Sequence, residues 1–196
     1  MSAPAAALKS QLRQNALSLR RALDPATRAL LTDRLIERGV DYARDVGAHV
    51  VSAFSPIRDE PDAVALLAAL GAQGFKTALP ITVGAGKPLV FRLWRPGDPT
   101  VRGALDIPEP TPEAAAVDPD LLFVPLAAFD RRGHRVGDGA GHYDRTLHRL
   151  RAAGLTRTVG VAYSVCEVAA VPDEAHDERL DFILTEREWI DARGAG

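Results

Sequence analysis

The chain has only one cysteine among its 196 residues. Cys166 therefore cannot form an internal disulfide, and a zinc site made of several cysteines is excluded. The five histidines also lack the spacing of zinc-binding motifs. We interpret Cys166 as a buried structural thiol, which is compatible with a reducing compartment.

A strong charge bias and long apolar segments are missing as well. The net charge of −2 provides no overall field toward nucleic acid or membranes. The longest apolar runs are far shorter than the roughly 20 residues of a membrane-spanning helix. Residues 3–8 also lack the basic segment that precedes the apolar part of a signal peptide. We therefore expect a cytoplasmic protein whose partners are small molecules rather than nucleic acid or membranes, and we expect a monomer.

The composition is ordinary, and the order of apolar segments predicts an α/β fold. Hydrophobic residues make up 46% of the chain and charged residues 26%, so we expect one domain over residues 1–196. Asp24 and Pro25 have the order of an N-cap and a first helical residue. Helical spacing and such boundaries predict helices over residues 5–23, 25–44, 61–73 and 142–153. The predicted strands cover residues 48–54, 76–79, 89–93, 121–129, 159–163 and 182–184.

The alternation of these elements favours an α/β sandwich with a largely parallel sheet. Residues 121–129 form a nearly unbroken apolar run, which is typical of a central strand covered on both faces. Residues 96–120 contain six prolines and are expected to lack regular structure.

A glycine-rich segment between the apolar run and the last predicted helix is the strongest functional motif. Gly137, Gly139 and Gly141 would let backbone N–H groups approach a ligand, and the following helix N-terminus favours an anion. Arg135 and Arg145 flank these glycines and could bind phosphate oxygens. Ligands of open α/β sheets bind beyond the carboxyl ends of strands. We interpret the segment as a phosphate-binding loop, with a mobile surface loop as the alternative.

Two better-known nucleotide motifs are absent from the sequence. The dinucleotide fingerprint would need a third glycine where His142 stands, and we expect His142 to have a polar or helix-capping role. Residues 84–87 resemble part of a Walker loop, but Pro88 follows instead of serine or threonine. We therefore interpret residues 84–87 as a turn.

The first predicted helix is basic. Residues 1–23 contain four cations and no acid, and Lys9, Arg13 and Arg20 fall within a narrow sector of the helix. Because like charges on one helix face repel each other, an anionic ligand would stabilise the arrangement. A solvated face paired with acids from other elements is the alternative.

Acidic residues suggest two further interactions. Five acids crowd residues 173–181, and one of them could bind Mg²⁺ together with Asp144, since this ion takes one or two carboxylates besides substrate phosphates. Glu60 follows a predicted strand. It is either a ligand-binding residue or a first-turn acid favoured by the helix dipole, and the sequence by itself favours the second interpretation.

Taken in order, these segments resemble the 5-formyltetrahydrofolate cyclo-ligase family. The similarity covers Lys9-x-x-x-Arg13, Phe54-Ser55-Pro56 with Glu60, residues 106–110, residues 124–145, and His176-Asp177 with Asp181. It implies a three-layer α/β/α sandwich around a mixed, mostly parallel sheet. It also implies ATP-dependent closure of 5-formyltetrahydrofolate to 5,10-methenyltetrahydrofolate.

The resemblance also implies roles for individual residues. ATP would be bound by Lys9, Arg13, Arg135, Val136, Gly137, Asp138, Gly139, Ala140, Gly141, His142, Tyr143 and Arg145. The folate would contact residues 138–142 together with Ser55, Glu60, Trp94, Glu109 and Pro110, and Trp94 and Tyr143 could stack on ligand rings. Mg²⁺ would be held by Asp144 and Asp181. Arg145 and Tyr143 are the candidate catalytic residues.

One position departs from the family pattern and keeps alternatives open. Asp138 occupies a loop position where the family usually has tyrosine or another bulky or basic residue, and an acid there should repel a polyphosphate. A folate- or nucleotide-binding relative that has lost activity is therefore one alternative. A sugar-phosphate isomerase on a related sheet, which would need no nucleotide, is the other.

Overall fold

The computed structural model describes residues 3–103, 106–154 and 156–194. Within these ranges the helices are α1 (Ala3–Arg21), α2 (Pro25–Asp45), α3 (Ala63–Ala72) and α4 (His142–Ala152). The first six strands are β1 (Val50–Ser52), β2 (Lys76–Ile81), β3 (Val90–Leu93), β4 (Thr100–Arg102), β5 (Pro108–Pro110) and β6 (Ala116–Val117). The last six are β7 (Leu121–Pro125), β8 (Ala128–Phe129), β9 (Arg135–Val136), β10 (Arg157–Val161), β11 (Phe182–Leu184) and β12 (Trp189–Asp191).

Eight strands form one mixed sheet in the order β12-β11-β10-β7-β1-β2-β3-β6. The five strands from β11 to β2 are parallel, whereas β12, β3 and β6 join antiparallel to their neighbours. Residues 121–124 of β7 are all fully buried. Because successive strand residues face opposite sides of a sheet, both faces are covered at the centre. The predicted three-layer α/β class with a mostly parallel sheet is confirmed.

The helix N-termini show how local sequence sets the boundaries. Asp24 caps α2 by accepting a hydrogen bond from the Thr27 backbone N–H at 2.9 Å, as predicted. The predicted start of the third helix at Pro61 is wrong. Asp62 accepts from the backbone N–H groups of Val64 and Ala65 instead, so α3 begins at Ala63.

Two predicted segments differ from the structure. The apolar run 121–129 is divided: β7 ends at Pro125, which has no N–H to donate, and β8 turns away to pair with β9. The proline-rich residues 96–120 contain three short strands, so the expectation of no regular structure is wrong. Pro108 and Pro110 are tolerated because β5 pairs with β4 alone, in a two-stranded sheet.

Within the described part of the chain, no helix is both long and apolar enough to cross a membrane. The segments that follow β1, β2 and β7 meet at the carboxyl edge of the parallel strands, where a large cavity opens.

Candidate active site

The cavity has a volume of about 990 Å³. Its walls are formed by α1, the segment after β1, residues 135–145, and residues 175–178. A cavity of this size suits one or two small molecules. It lies at the position that open α/β sheets use for ligands.

The cations of α1 line one side of the cavity. Lys9 Nζ lies 2.5 Å from Asp177 Oδ2, and Arg13 Nε donates to the carbonyl oxygen of Gly137 at 2.6 Å. A Cβ atom built on Gly139 would lie 3.0 Å from Arg13 Nη2. The predicted cationic helix face and the predicted glycine loop therefore meet in space, although they are more than 100 residues apart in the chain.

The glycine loop, residues 137–141, leaves a helix terminus open to the cavity. Gly139 and Gly141 have φ angles of 95° and 66°, which side-chain-bearing residues rarely adopt. Gly141 is the N-cap of α4, and among the described residues no side chain caps this helix. Arg145 Nη2 donates to the carbonyl oxygen of Ala140. The uncapped N–H groups and the adjacent guanidiniums form an environment for an anion.

Arg135 connects the loop to the C-terminal part of the cavity wall. Its guanidinium lies 2.7 Å from Asp144 Oδ1 and donates to the carbonyl oxygen of Glu178. The Arg135 side chain is only 5% exposed. Arg135 thus holds Asp144 in place beneath the loop, and less of its guanidinium remains for a ligand than the sequence suggested.

Glu60 lies in the cavity wall, and its carboxylate has an unusual environment. Its Oε2 accepts from the Ile57 backbone N–H at 3.0 Å. Burial raises the Glu60 pKa from its ordinary value to about 7, Asp138 adds to this rise, and Arg20 and Arg58 oppose it. Glu60 precedes the cap of α3, so the interpretation as a first-turn helix acid is wrong.

Ser55 and Glu109 also line the cavity. Ser55 Oγ donates to the carbonyl oxygen of Pro108 at 3.0 Å. Glu109 Oε1 accepts from the Thr82 backbone N–H at 3.0 Å. The Glu109 carboxyl group packs so closely on Gly103 that a Cβ atom there would overlap it. Because Ser55 follows β1 and Thr82 follows β2, these two hydrogen bonds connect the carboxyl ends of the large sheet's strands to β5.

Trp94 and Pro110 do not line the cavity. Trp94 is 9% exposed and belongs to the hydrophobic core, and its indole N–H donates to the Asp98 carbonyl oxygen at 3.2 Å. Pro110 is paired with Thr100 in the β4–β5 sheet. The structure therefore provides no ligand surface on Trp94.

Tyr143 and His142 begin α4 and do line the cavity. Burial raises the pKa of the Tyr143 phenol, and the charges of Glu60 and Asp138 raise it further, so its hydroxyl stays protonated. His142 Nδ1 lies 2.9 Å from the Lys87 carbonyl oxygen. This polar contact to the 84–87 turn agrees with the structural role expected for His142.

The structure does not place Asp181 beside Asp144 in the cavity wall. Asp181 Oδ2 accepts from the backbone N–H and the hydroxyl of Thr158, both at 2.7 Å, and Asp181 Oδ1 lies 3.5 Å from Arg151. Within the described ranges, no three histidines, cysteines or acids cluster as a metal site. Asp144 lines the cavity, and its Oδ2 accepts no hydrogen bond from any described residue. A single carboxylate is compatible with Mg²⁺ when phosphates supply other ligands.

Arg20 belongs to the predicted cationic face of the first helix but was not among the residues expected to contact ATP or folate, yet it lines the cavity and is only 4% exposed. The available signal was its position in the same helix sector as Lys9 and Arg13. Arg58 is a second cation of the cavity wall that sequence patterns did not reveal.

Comparison with known proteins gives one consistent result. The model of the 5-formyltetrahydrofolate cyclo-ligase family matches residues 5–186. The 5-formyltetrahydrofolate cyclo-ligase of Mycolicibacterium smegmatis is 34% identical over 190 residues, which is 93% of this chain and 95% of the relative. The enzyme of the same name from Escherichia coli K12 is 34% identical over 172 residues, 85% of this chain and 93% of the relative. The solved structure of Aquifex aeolicus 5,10-methenyltetrahydrofolate synthetase superposes with a TM-score of 0.80 at 30% identity, covering 95% of this chain and 93% of that one.

Proposed function

Because the chain belongs to the 5-formyltetrahydrofolate cyclo-ligase family, we propose that it converts 5-formyltetrahydrofolate and ATP to 5,10-methenyltetrahydrofolate, ADP and phosphate. One observation supports this most directly. A single cavity contains a glycine loop flanked by cations and, elsewhere in its wall, the partly buried acid Glu60. The first feature suits a triphosphate and the second suits the N–H edge of a pterin.

The reaction first requires a better electrophile than a formamide. Transfer of the γ-phosphoryl group of ATP to the formyl oxygen forms an O–P bond, breaks the bond to ADP, and makes that oxygen a leaving group. The neighbouring N-10 amine then attacks the formyl carbon, its proton is lost, and phosphate departs as the ring closes. The protein has to position the two substrates and neutralise charge.

Lys9, Arg13 and the amides of the glycine loop would bind the triphosphate. Arg145 would neutralise the charge on the transferring phosphoryl group, because its guanidinium lies at the loop and the N-terminus of α4. Tyr143, protonated at neutral pH, would donate a hydrogen bond or stack on a ligand ring. Arg135 would act mainly by orienting Asp144.

The pterin would bind at the Glu60 end of the cavity. A carboxylate can accept two parallel N–H bonds from an aminopyrimidine edge. Ser55 and Glu109 would border the same substrate, whereas Trp94 and Pro110 do not line the cavity and are not part of this proposal.

We propose Asp144 as the protein ligand of Mg²⁺, with the remaining ligands supplied by the phosphates and water. The ion would supply charge neutralisation at the phosphates. Asp181 is not proposed as a second ligand, because Thr158 and Arg151 already contact its carboxylate.

A spectrophotometric assay tests the proposal. Purified protein with 5-formyltetrahydrofolate, Mg²⁺ and ATP should develop the absorbance of the methenyl product, and the reaction without ATP should not. Folate binding without product formation would instead indicate an impaired relative, and turnover of a sugar phosphate without ATP would indicate an isomerase. The prediction of a monomer is tested by size-exclusion chromatography with light scattering, and the prediction of one domain by whether urea unfolds the chain in one cooperative transition.

A further inference from the structure

Among the described residues, Arg20 is the buried cation of the cavity wall whose guanidinium has no hydrogen-bond or ion-pair partner, whereas Arg58, which has none either, is exposed. Arg20 is 4% exposed, and its Nε finds no hydrogen-bond acceptor in the structure. No acid of the described residues forms an ion pair with it. Lys9, Arg13, Arg135 and Arg145 each contact a carboxylate or a carbonyl oxygen.

A buried guanidinium without partners is unfavourable, since it loses hydration without gaining hydrogen bonds. Arg20 lines the cavity, so the contents of the cavity are the source from which it can recover those bonds. This distinguishes Arg20 from a structural arginine, whose hydrogen bonds are satisfied by the fold itself. Arg28 is an example of the second kind, with three carbonyl acceptors within 3.3 Å.

The position of Arg20 along α1 indicates which end of the cavity it serves. A helix rises about 1.5 Å per residue, so Arg20 lies about 10 Å along the axis from Arg13. Arg13 is the residue that contacts the glycine loop. Arg20 is instead close enough to Glu60 for its charge to lower the pKa of that carboxyl group. It therefore belongs to the Glu60 end rather than to the phosphate end.

Arg28 holds the two sides of this end together. Its Nη2 donates to the Arg20 carbonyl oxygen at 2.8 Å, and its Nη1 donates to the Asp59 carbonyl oxygen at 3.3 Å. The end of α1 is thus tied to the residue next to Glu60. Arg20 and Glu60 both line the cavity, and the backbone segments that carry them are connected through Arg28.

We propose that Arg20 binds the reduced folate by donating hydrogen bonds to the ring carbonyl oxygen at C4. This inference rests on the proposed function and on Glu60 accepting the pterin N–H edge. In the pterin ring, the C4 carbonyl lies between the N3–H of that edge and the carbon that bears the formylated N5. Two acceptors flank this edge, N1 and the C4 oxygen, and we assign Arg20 to the C4 oxygen, which lies on the side of the reacting formyl group.

Direct binding measurements test this role. Arg20→Met should raise the Kd for 5-formyltetrahydrofolate, measured without ATP by calorimetry, about tenfold or more, because a charge-assisted hydrogen bond is lost. The KM for ATP should change less than about twofold, and Arg20→Lys should fall between the two proteins in folate affinity. The melting temperature of ligand-free Arg20→Met should be equal to or above that of the wild type, since an unpaired buried charge has been removed.

Arg21→Met is the matched control. Arg21 is the next residue of α1, its side chain is 63% exposed, and it does not line the cavity. This variant should bind folate as the wild type does.

The outcomes separate the two proposals. Unchanged folate Kd in folded Arg20→Met, or an increase in the KM for ATP in place of the folate Kd, would overturn the role of Arg20 and leave the proposed function intact. A lower melting temperature with unchanged folate affinity would show a structural role instead. A wild-type protein that neither binds folate nor forms the methenyl product would overturn both.

Discussion

Lys9 and Asp177, which both line the cavity, form an ion pair with Nζ and Oδ2 2.5 Å apart. The side chains are 9% and 17% exposed. A cation of the first helix and an acid near the C-terminus are therefore joined beside the proposed phosphate site. If Lys9 binds ATP as proposed, a phosphate oxygen would have to join or replace Asp177 as its partner.

Asp177→Asn should destabilise the protein by about 1–3 kcal/mol at pH 7, because Lys9 would be left buried and unpaired. Burial alone would raise the Asp177 pKa, but Lys9 and the Glu174 backbone N–H outweigh it and hold the pKa below its usual value. A lowered folded-state pKa stabilises above the unfolded pKa, and this contribution is lost as pH falls through the folded value. The difference in free energy of unfolding between Asp177→Asn and the wild type should therefore shrink below about pH 4.

Urea unfolding at pH 7 and pH 3 measures this effect. Asp173→Asn is a suitable control, because Asp173 is 44% exposed and its contact with Arg132 is 3.3 Å, so its loss should have little effect. An equal destabilisation by Asp177→Asn at both pH values would contradict the ion-pair explanation.

Gly139→Ala should raise the KM for ATP about tenfold or more. An alanine at position 139 would have to hold an unfavourable φ of 95°, and its Cβ would lie 3.0 Å from Arg13 Nη2. The loop and the guanidinium must therefore both shift. Gly154→Ala is the matched control, since its φ is 98° and no described atom comes within 4 Å of the added Cβ. If both variants change the KM equally, backbone strain rather than the Arg13 contact is responsible.

Arg145→Ala should lower turnover about tenfold or more while leaving the melting temperature nearly unchanged. Arg145 is exposed, and its one side-chain hydrogen bond to a described residue is to the Ala140 carbonyl oxygen. Arg149→Ala, one turn further along α4, removes a cation paired with Asp118 away from the cavity and should keep full activity. Retained turnover with a collapsed melting temperature would make Arg145 structural.

Asp144→Asn should raise the Mg²⁺ concentration needed for half-maximal activity, whereas Asp181→Asn should not. Asp144 lies in the cavity wall, and Asp181 is engaged by Thr158 in β10. Asp181→Asn should instead lower the free energy of unfolding by about 1–3 kcal/mol. A Mg²⁺ titration of both variants, with urea unfolding alongside, tests this. A rise in Mg²⁺ requirement for Asp181→Asn would restore the Asp144–Asp181 site that the family resemblance implied.

The glycine loop could be predicted from the sequence because its determinants are local. An apolar strand, alternate glycines and flanking arginines all lie within residues 121–145, and the resulting geometry depends on backbone rules. The contact between this loop and α1 was harder to predict from the sequence. Lys9 and Arg13 share a helix sector with Arg20, but which of them finds a partner depends on elements far away in the chain.

Trp94 and Asp181, two expected site residues that do not line the cavity, share one physical explanation. An aromatic residue at a strand end, such as Trp94, has the same pattern whether it faces a ligand or the core. Asp181 stands in a stretch rich in acids, and its partner Thr158 is contributed by a strand 23 residues earlier. Spacing along the chain does not reveal such pairs. The charges that act on Glu60 likewise include Arg20 of α1 and Asp138 of the glycine loop, which are distant in the chain, so its raised pKa could not be inferred from the sequence.

Glu60 should make folate binding depend on pH. Burial raises its pKa to about 7, Asp138 contributes to the rise, and Arg20, Arg58 and the Ile57 backbone N–H oppose it. If the carboxylate accepts the pterin N–H groups, binding below pH 7 requires loss of a proton. The folate Kd should therefore rise up to about tenfold per pH unit below pH 7 and be nearly constant above it.

Glu60→Gln separates this effect from other titrations. The variant should bind folate more weakly, because an amide offers one acceptor where the carboxylate offers two, and its Kd should lose the pH dependence. Although the variant binds folate more weakly, the free energy of unfolding of the ligand-free variant should increase relative to the wild type. Since a raised folded-state pKa makes the wild type lose stability as pH rises from about 4.5 to about 7, Glu60→Gln should gain up to about 3 kcal/mol relative to the wild type over that range. Calorimetric folate titrations and urea unfolding between pH 5 and pH 8 measure both. A wild-type Kd that is flat across this range would show that the ionised Glu60 does not bind the pterin.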